Sequence, residues 1–182
     1  MATILAVEGQ TNMNKKIMIN IVCVVVVLLL QLIVSPSLPI GGTTLNFCLA
    51  YVVAISLALR ENPKIILCVL LGIIMDLTHG GPVGAFTLIF LLINATCVSV
   101  SANITSSGTL EKSVIAFVAC AVANLLHCLI VGVSTPGISL ITAFTSGALW
   151  SLIFDGVISV LFLLILSKIL VDDSRDAWKS SF

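Results

Sequence analysis

Long apolar runs separated by short polar breaks dominate the pattern of this chain. Each run predicts a membrane-crossing helix, because about 20 apolar residues span the hydrocarbon core of a bilayer. The runs cover residues 17–35, 43–59, 65–79, 84–101, 113–133 and 147–170. The stretch 137–150 is polar enough to predict a re-entrant or interfacial piece before the last helix. The pattern therefore predicts an all-α membrane domain of six transmembrane helices over residues 17–170, between tails at 1–16 and 171–182.

The composition agrees with a membrane protein. Hydrophobic residues fill 59% of the 182 positions and charged residues only 9%, more apolar surface than a soluble domain of this size can bury. The first apolar run is longer than the core of a signal peptide, and Ser35-Pro36-Ser37 is not a cleavage pattern, so we interpret it as a retained helix. The six cysteines lie in apolar segments without a C-x-x-C pair, which favours buried thiols over disulfides or metal ligands.

The basic residues predict the orientation of the chain. With the N-terminal tail in the cytoplasm, the cytoplasmic elements are residues 1–16, 60–64, 102–112 and 168–182. All eight basic residues fall in these elements: Lys15, Lys16, Arg60, Lys64, Lys112, Lys168, Arg175 and Lys179. This distribution follows the positive-inside rule, so both termini are expected in the cytoplasm and the number of crossings is expected to be even.

Four polar residues inside the apolar runs are expected at one depth. By the rise of an α-helix, Asp76 lies about 18 Å from Lys64 and Asp155 about 20 Å from Lys168. Asn124 and His127 lie about 18 and 22 Å beyond Lys112, on one helix face. We therefore expect a buried polar cluster of Asp76, Asn124, His127 and Asp155 in the outer half of the membrane, because ionisable groups there need partners. The alternative is that both aspartates, protonated or exposed at the interface, merely cap shortened helices.

No sequence motif indicates catalysis. The chain has no zinc-protease motif, phosphate-binding glycine loop or nucleophile elbow. Asp76 and Asp155 could formally pair for aspartyl chemistry, but neither lies in the G-x-G-D or Y-D setting of intramembrane aspartyl proteases. A net charge of +0 without a basic stripe argues against nucleic-acid binding. We expect no enzyme activity, no cofactor and no metal site, with membrane lipid as the surrounding partner.

One motif resembles a known family. Gly72-Ile73-Ile74-Met75-Asp76-Leu77, followed by Gly80, Gly81, Pro82, Val83 and Gly84, resembles the G-x-x-x-D-L…G-x-x-x-G core of the MreD family of rod shape-determining membrane proteins. Gly147-Ala148-Leu149-Trp150 at the start of the last helix and a second helix ending at Arg60 also fit. The resemblance covers roughly residues 17–170, and its specific motif is confined to 72–84.

The resemblance implies a non-enzymatic scaffold of the elongasome, the assembly that makes lateral-wall peptidoglycan in rod-shaped bacteria. Implied partners are MreC, RodA with its class B penicillin-binding protein, and MreB indirectly. The implied location is the bacterial inner membrane. The implied fold is similar to the six-helix S-component of energy-coupling-factor transporters.

That fold similarity leaves an alternative function open. An S-component would bind a vitamin or metal in an outward-facing pocket, which the polar cluster could line. S-components dock their coupling partner through small residues on helix one, whereas Ile21 to Leu28 contains no alanine. The predicted external turn at 35–42 also lacks aromatic or charged groups, so both features favour the scaffold. A small channel is a third possibility, but it would need polar residues through the full membrane depth.

Overall fold

The computed structural model describes residues 18–37, 44–58, 63–79, 82–103, 108–134 and 148–179, and this part of the chain is helical without a strand. The helices are α1 (Met18–Ser37), α2 (Phe47–Ala58), α3 (Pro63–His79), α4 (Ala85–Asn103), α5 (Thr109–Ser134) and α6 (Ala148–Lys179). Within these ranges α1, α4, α5 and α6 are long and apolar enough to cross a membrane. The predicted all-α membrane class is thus confirmed, while the six crossings stay a prediction.

Helix α2 is the centre of the bundle. Ten consecutive residues, Cys48 to Leu57, are buried, so no side of this helix is left for lipid. It packs against α3, α4, α5, α6 and the C-terminal part of α1. The surrounding helices carry large exposed apolar side chains on their outer faces, for example Ile66, Leu88, Val118 and Leu161. An apolar exterior around a buried core is the arrangement expected of helices in lipid.

Helices α3 and α4 form a close hairpin. A Cβ atom at Gly72 would lie 2.5 Å from the Cα atom of Thr87, so only glycine permits this approach. Gly84 has φ +91°, a left-handed conformation that glycine adopts without strain, and it turns the chain into α4. Gly80 and Gly81, which the sequence motif also includes, lie outside the described residues.

Helix α6 closes the bundle against α2 and α5. A Cβ atom at Gly156 would lie 2.5 Å from the Phe117 ring, so the two helices are in close contact there. The helix continues to Lys179, into the region expected as a C-terminal tail. The tail at 1–16 and residues 137–147 of the expected re-entrant stretch lie outside the described residues.

The cysteines are free thiols. Cys48, Cys68, Cys97 and Cys120 are buried, and the other two are half-buried. They fill space in the core like small apolar side chains, as expected from the sequence.

Candidate functional site

Asp76 of α3 caps the N-terminus of α4. Its Oδ1 atom accepts a hydrogen bond from the backbone N–H of Phe86 at 2.9 Å. Its Oδ2 atom accepts bonds from the backbone N–H of Thr87 at 3.2 Å and from the Thr87 hydroxyl at 2.7 Å. The first N–H groups of a helix have no partner within the helix, so the carboxylate satisfies donors that would otherwise be unpaired.

The sequence around Asp76 explains this geometry. Gly72 lies one turn before Asp76 on the same face of α3, and its missing side chain lets α4 approach. In the turn, the Pro82 carbonyl accepts a bond from the Ala85 N–H at 3.2 Å, and Gly84 then directs the chain into the helix. Gly72, Asp76 and Gly84 therefore act together to build one tight junction between α3 and α4.

Asp155 of α6 performs the corresponding role at α2. The side chain is fully buried, and its Oδ1 atom accepts a bond from the Asn46 N–H at 2.8 Å. Its Oδ2 atom accepts a bond from the Asn124 side-chain amide at 3.1 Å. One carboxylate thus joins α6 to α5 and to the start of α2. The negative charge also lies at the positive end of the α2 dipole, which is a favourable position.

Gln31 completes the cap of α2 from α1. Its Oε1 atom accepts bonds from the N–H groups of Phe47 at 2.8 Å and Cys48 at 3.4 Å. Its amide donates to the Leu45 carbonyl at 3.3 Å, and this carbonyl also accepts a 2.6 Å bond from the hydroxyl of Ser35. Gln31 belongs to a π-helical segment, Leu30–Val34, which is a rare geometry that occurs often at functional positions.

Asn46 supplies the remaining cap of α2 from its own chain. Its Oδ1 atom accepts a bond from the Leu49 N–H at 2.9 Å, as an N-cap asparagine commonly does. Each N–H from Asn46 to Leu49 therefore has a side-chain acceptor. Side chains of α1 and α6, together with Asn46 itself, therefore supply the acceptors at the start of this helix.

The C-terminus of α2 is capped by a buried lysine. The Lys64 ammonium donates to the Ser56 carbonyl at 3.1 Å. The Ser56 hydroxyl donates to the Asn94 side-chain oxygen of α4 at 2.8 Å. A cation at this end complements the helix dipole just as the carboxylate does at the other end. Helix α2 is thus held by groups of opposite charge at its two termini.

His127 takes part in an aromatic contact. Its ring stacks on the Phe86 ring at a centroid distance of 4.6 Å, and the His79 ring meets Phe86 edge-on at 5.4 Å. Of the four residues expected in one cluster, Asn124 and Asp155 are bonded to each other, whereas Asp76 and His127 both meet Phe86. Within the described ranges no hydrogen bond connects these two pairs.

The chemistry of these groups is structural. Every buried side-chain nitrogen and oxygen in the described part has a hydrogen-bond partner, so the carboxylates are engaged with helix ends. The same ranges hold no group of three or more His, Cys, Asp or Glu residues that could ligate a metal ion. The sequence reasoning did not single out Gln31, Asn46, Ser56 and Asn94. Asn46 precedes an apolar run in the manner of an N-cap, and this signal could have identified it.

The fold and these junctions define a class: a multi-pass membrane protein whose buried polar side chains fasten helix ends. Comparison with protein families identifies the family to which the chain belongs. Residues 11–171 match the family model described as rod shape-determining protein MreD. Neither the search of curated proteins nor that of solved structures returned a match.

The chain therefore belongs to the MreD family, as the motif at 72–84 suggested. It is a rod shape-determining membrane protein, and its family consists of structural proteins that act in cell shape and peptidoglycan synthesis. The match gives no support to the alternative of an S-component.

Proposed function

We propose that this protein is a non-enzymatic scaffold of the cell-wall elongation machinery in the bacterial inner membrane. It maintains rod shape by binding MreC and, with MreC, RodA and its class B penicillin-binding protein. MreB is connected indirectly through MreC. The observation that carries this proposal is the family match, which extends over residues 11–171.

The side-chain geometry supports a scaffold over an enzyme or a receptor for small molecules. Both buried aspartates accept hydrogen bonds from helix N-termini, and Lys64 donates to a helix C-terminus. Such groups fix the relative positions of helices. A rigid bundle with an apolar exterior offers fixed helix faces to the membrane segments of its partners.

We also propose that both termini lie in the cytoplasm, on the basis of the eight basic residues described above. In this orientation the Asp76 and Asp155 junctions lie in the outer half of the membrane and Lys64 in the inner half. Reporter fusions test this directly. Alkaline phosphatase inserted in 36–42, 80–83 or 134–139 should be active, and fusions in 60–64 or 102–112 should be inactive; the reverse pattern would contradict the orientation.

Complementation and copurification test the scaffold. The full chain should be co-expressed with the MreC from its own genome, in rod-shaped cells that have been depleted of their own MreD. It should then restore rod shape. It should also retain tagged MreC after solubilisation. A chain that inserts at normal levels but neither restores rods nor retains MreC would refute the proposal. The Gly108→Ala variant should behave like the full chain in both assays, because a Cβ atom there meets nothing within 4 Å.

A further inference from the structure

Three rings from three helices meet at one end of the bundle, in a cluster that we call the His–Phe–His stack. It consists of His79 at the end of α3, Phe86 in the first turn of α4 and His127 of α5. The imidazole of His127 lies 4.6 Å and that of His79 5.4 Å from the Phe86 ring, measured between centroids. Phe86 is buried, His127 is half-buried and His79 is exposed. The stack is the aromatic contact between the α3–α4 hairpin and α5.

Few charged groups surround this stack. On α3, Asp76 binds the Phe86 N–H, and its oxygens already accept three hydrogen bonds. The sequence of α4 contains no charged residue, and the charged pair 111–112 of α5 lies at the opposite end of that helix. On α6, Asp155 is bonded to Asn124, one turn before His127. In the described part of the chain neither carboxylate is hydrogen-bonded to a histidine; the Nδ1 atom of His79 instead lies 3.2 Å from the Thr78 hydroxyl.

We propose that the His–Phe–His stack is a pH-sensitive joint that holds α5 on the α3–α4 hairpin when the histidines are neutral. A single proton is tolerated, because a protonated His127 would lie on the face of the Phe86 ring, which attracts a cation. A second proton places like charges on two imidazoles that contact the same phenylalanine, in a medium of low dielectric constant where repulsion is strong. The joint then loosens.

The direction of the pH dependence follows from proton linkage. The loosened state binds the second proton more readily than the closed state, so the closed state loses stability as the pH falls. Histidine is the side chain that changes charge between pH 5 and 8. With the orientation proposed above, the stack faces the extracytoplasmic side, where the medium sets the pH. The inference therefore concerns regulation and goes beyond the scaffold role.

Thermal unfolding of the full chain in nanodiscs of neutral lipid tests this joint, with circular dichroism as the readout. Between pH 7.5 and 5.5 the wild-type Tm should fall by about 4 °C or more. His79→Gln and His127→Gln should each remove at least about half of that fall, since either one eliminates the doubly charged state. Leu129→Ala, at an exposed position of α5, is the matched control and should keep the wild-type pH dependence.

Two results would overturn the proposal. One is a double variant, His79→Gln with His127→Gln, that keeps the full fall in Tm. The other comes from NMR of the wild-type chain with labelled histidine, which gives two side-chain signals because the chain has two histidines. Coupled titration of the two signals supports the joint, and two independent single-step titrations refute it. Neither measurement involves MreC, so its failure is distinct from failure of the scaffold proposal.

Discussion

Replacement of Asp155 by alanine should severely weaken the bundle. The carboxylate is fully buried and accepts bonds from the Asn46 N–H at 2.8 Å and the Asn124 amide at 3.1 Å. Its removal leaves two donors without an acceptor, each at a cost of about 1–3 kcal/mol. It also removes a negative charge from a helix N-terminus, worth about 0.3–2 kcal/mol. We expect the free energy of unfolding to fall by about 3–5 kcal/mol, which lies within the sum of these two effects.

A thiol-reactive fluorescent dye suits the measurement, because four buried cysteines become reactive only when the bundle opens. The Tm of Asp155→Ala in detergent should lie roughly 6–20 °C below the wild-type Tm, by the usual conversion for a chain of this size. Ser159→Ala is the matched control. Ser159 is equally buried on the same helix, but its hydroxyl donates to the Gly156 carbonyl of that helix at 2.8 Å, and its partner on another helix is the weakly bonding thiol of Cys120. Its loss should cost less than about 1 kcal/mol.

Asp155→Asn separates hydrogen bonding from charge. The asparagine oxygen can still accept the Asn46 bond, and the Asn124 amide can turn to accept from the new amide. We therefore expect a loss of only about 1–2 kcal/mol, attributable to the missing charge at the helix end. If Asp155→Ala costs no more than Ser159→Ala, the capping argument is wrong. If the Ala and Asn variants lose equal stability, the charge rather than the hydrogen bonds stabilises the junction.

Three further changes test other junctions in the same assay. Gly72→Ala should lower the free energy of unfolding by about 1–3 kcal/mol, because the new Cβ atom overlaps Thr87. Gly108→Ala, the control, should lower it by less than about 1 kcal/mol, and equal losses would contradict the close crossing. Gly84→Ala should lose about 1–2 kcal/mol through its φ of +91° alone, and an unchanged Tm would refute that strain. Lys64→Met should lower the free energy of unfolding by about 1–3 kcal/mol, because it leaves the Ser56 carbonyl in the last turn of α2 without this donor in an apolar environment. An unchanged stability would show that the bond between Lys64 and Ser56 is dispensable.

The sequence predicted the helical segments well for a physical reason. In lipid every backbone polar group needs a partner within the protein, and a helix satisfies most of its own groups, so apolar runs and helices coincide. The run 84–101 corresponds to α4 at Ala85–Asn103, and 65–79 corresponds to α3 at Pro63–His79. The positions of Gly72, Asp76 and Gly84 in one junction were also accessible, because all three belong to one contiguous motif.

The partners of the buried polar groups were not accessible in the same way. Depth counting placed Asp155 near Asn124, and the two are bonded. It could not show that Asp155 caps α2, because that depends on how α6 crosses a helix far away in sequence. Gln31 was missed for the same reason: a glutamine in an apolar run shows that a partner is needed but does not show which helix provides it.

The cap of α2 has a consequence for how the chain is made. The bond between Asn46 and Asp155 joins residues 109 positions apart, so the start of the second helix stays incomplete until the last helix has entered the membrane. During synthesis the cap of α2 therefore forms only after α6 has been made, because contacts of such long range form late. An interrupted chain that stops before α6 carries an unpaired N–H group at the start of α2. Such a chain should be recognisable to membrane proteases, whereas in the finished protein the same N–H group is bonded to the fully buried Asp155 carboxylate.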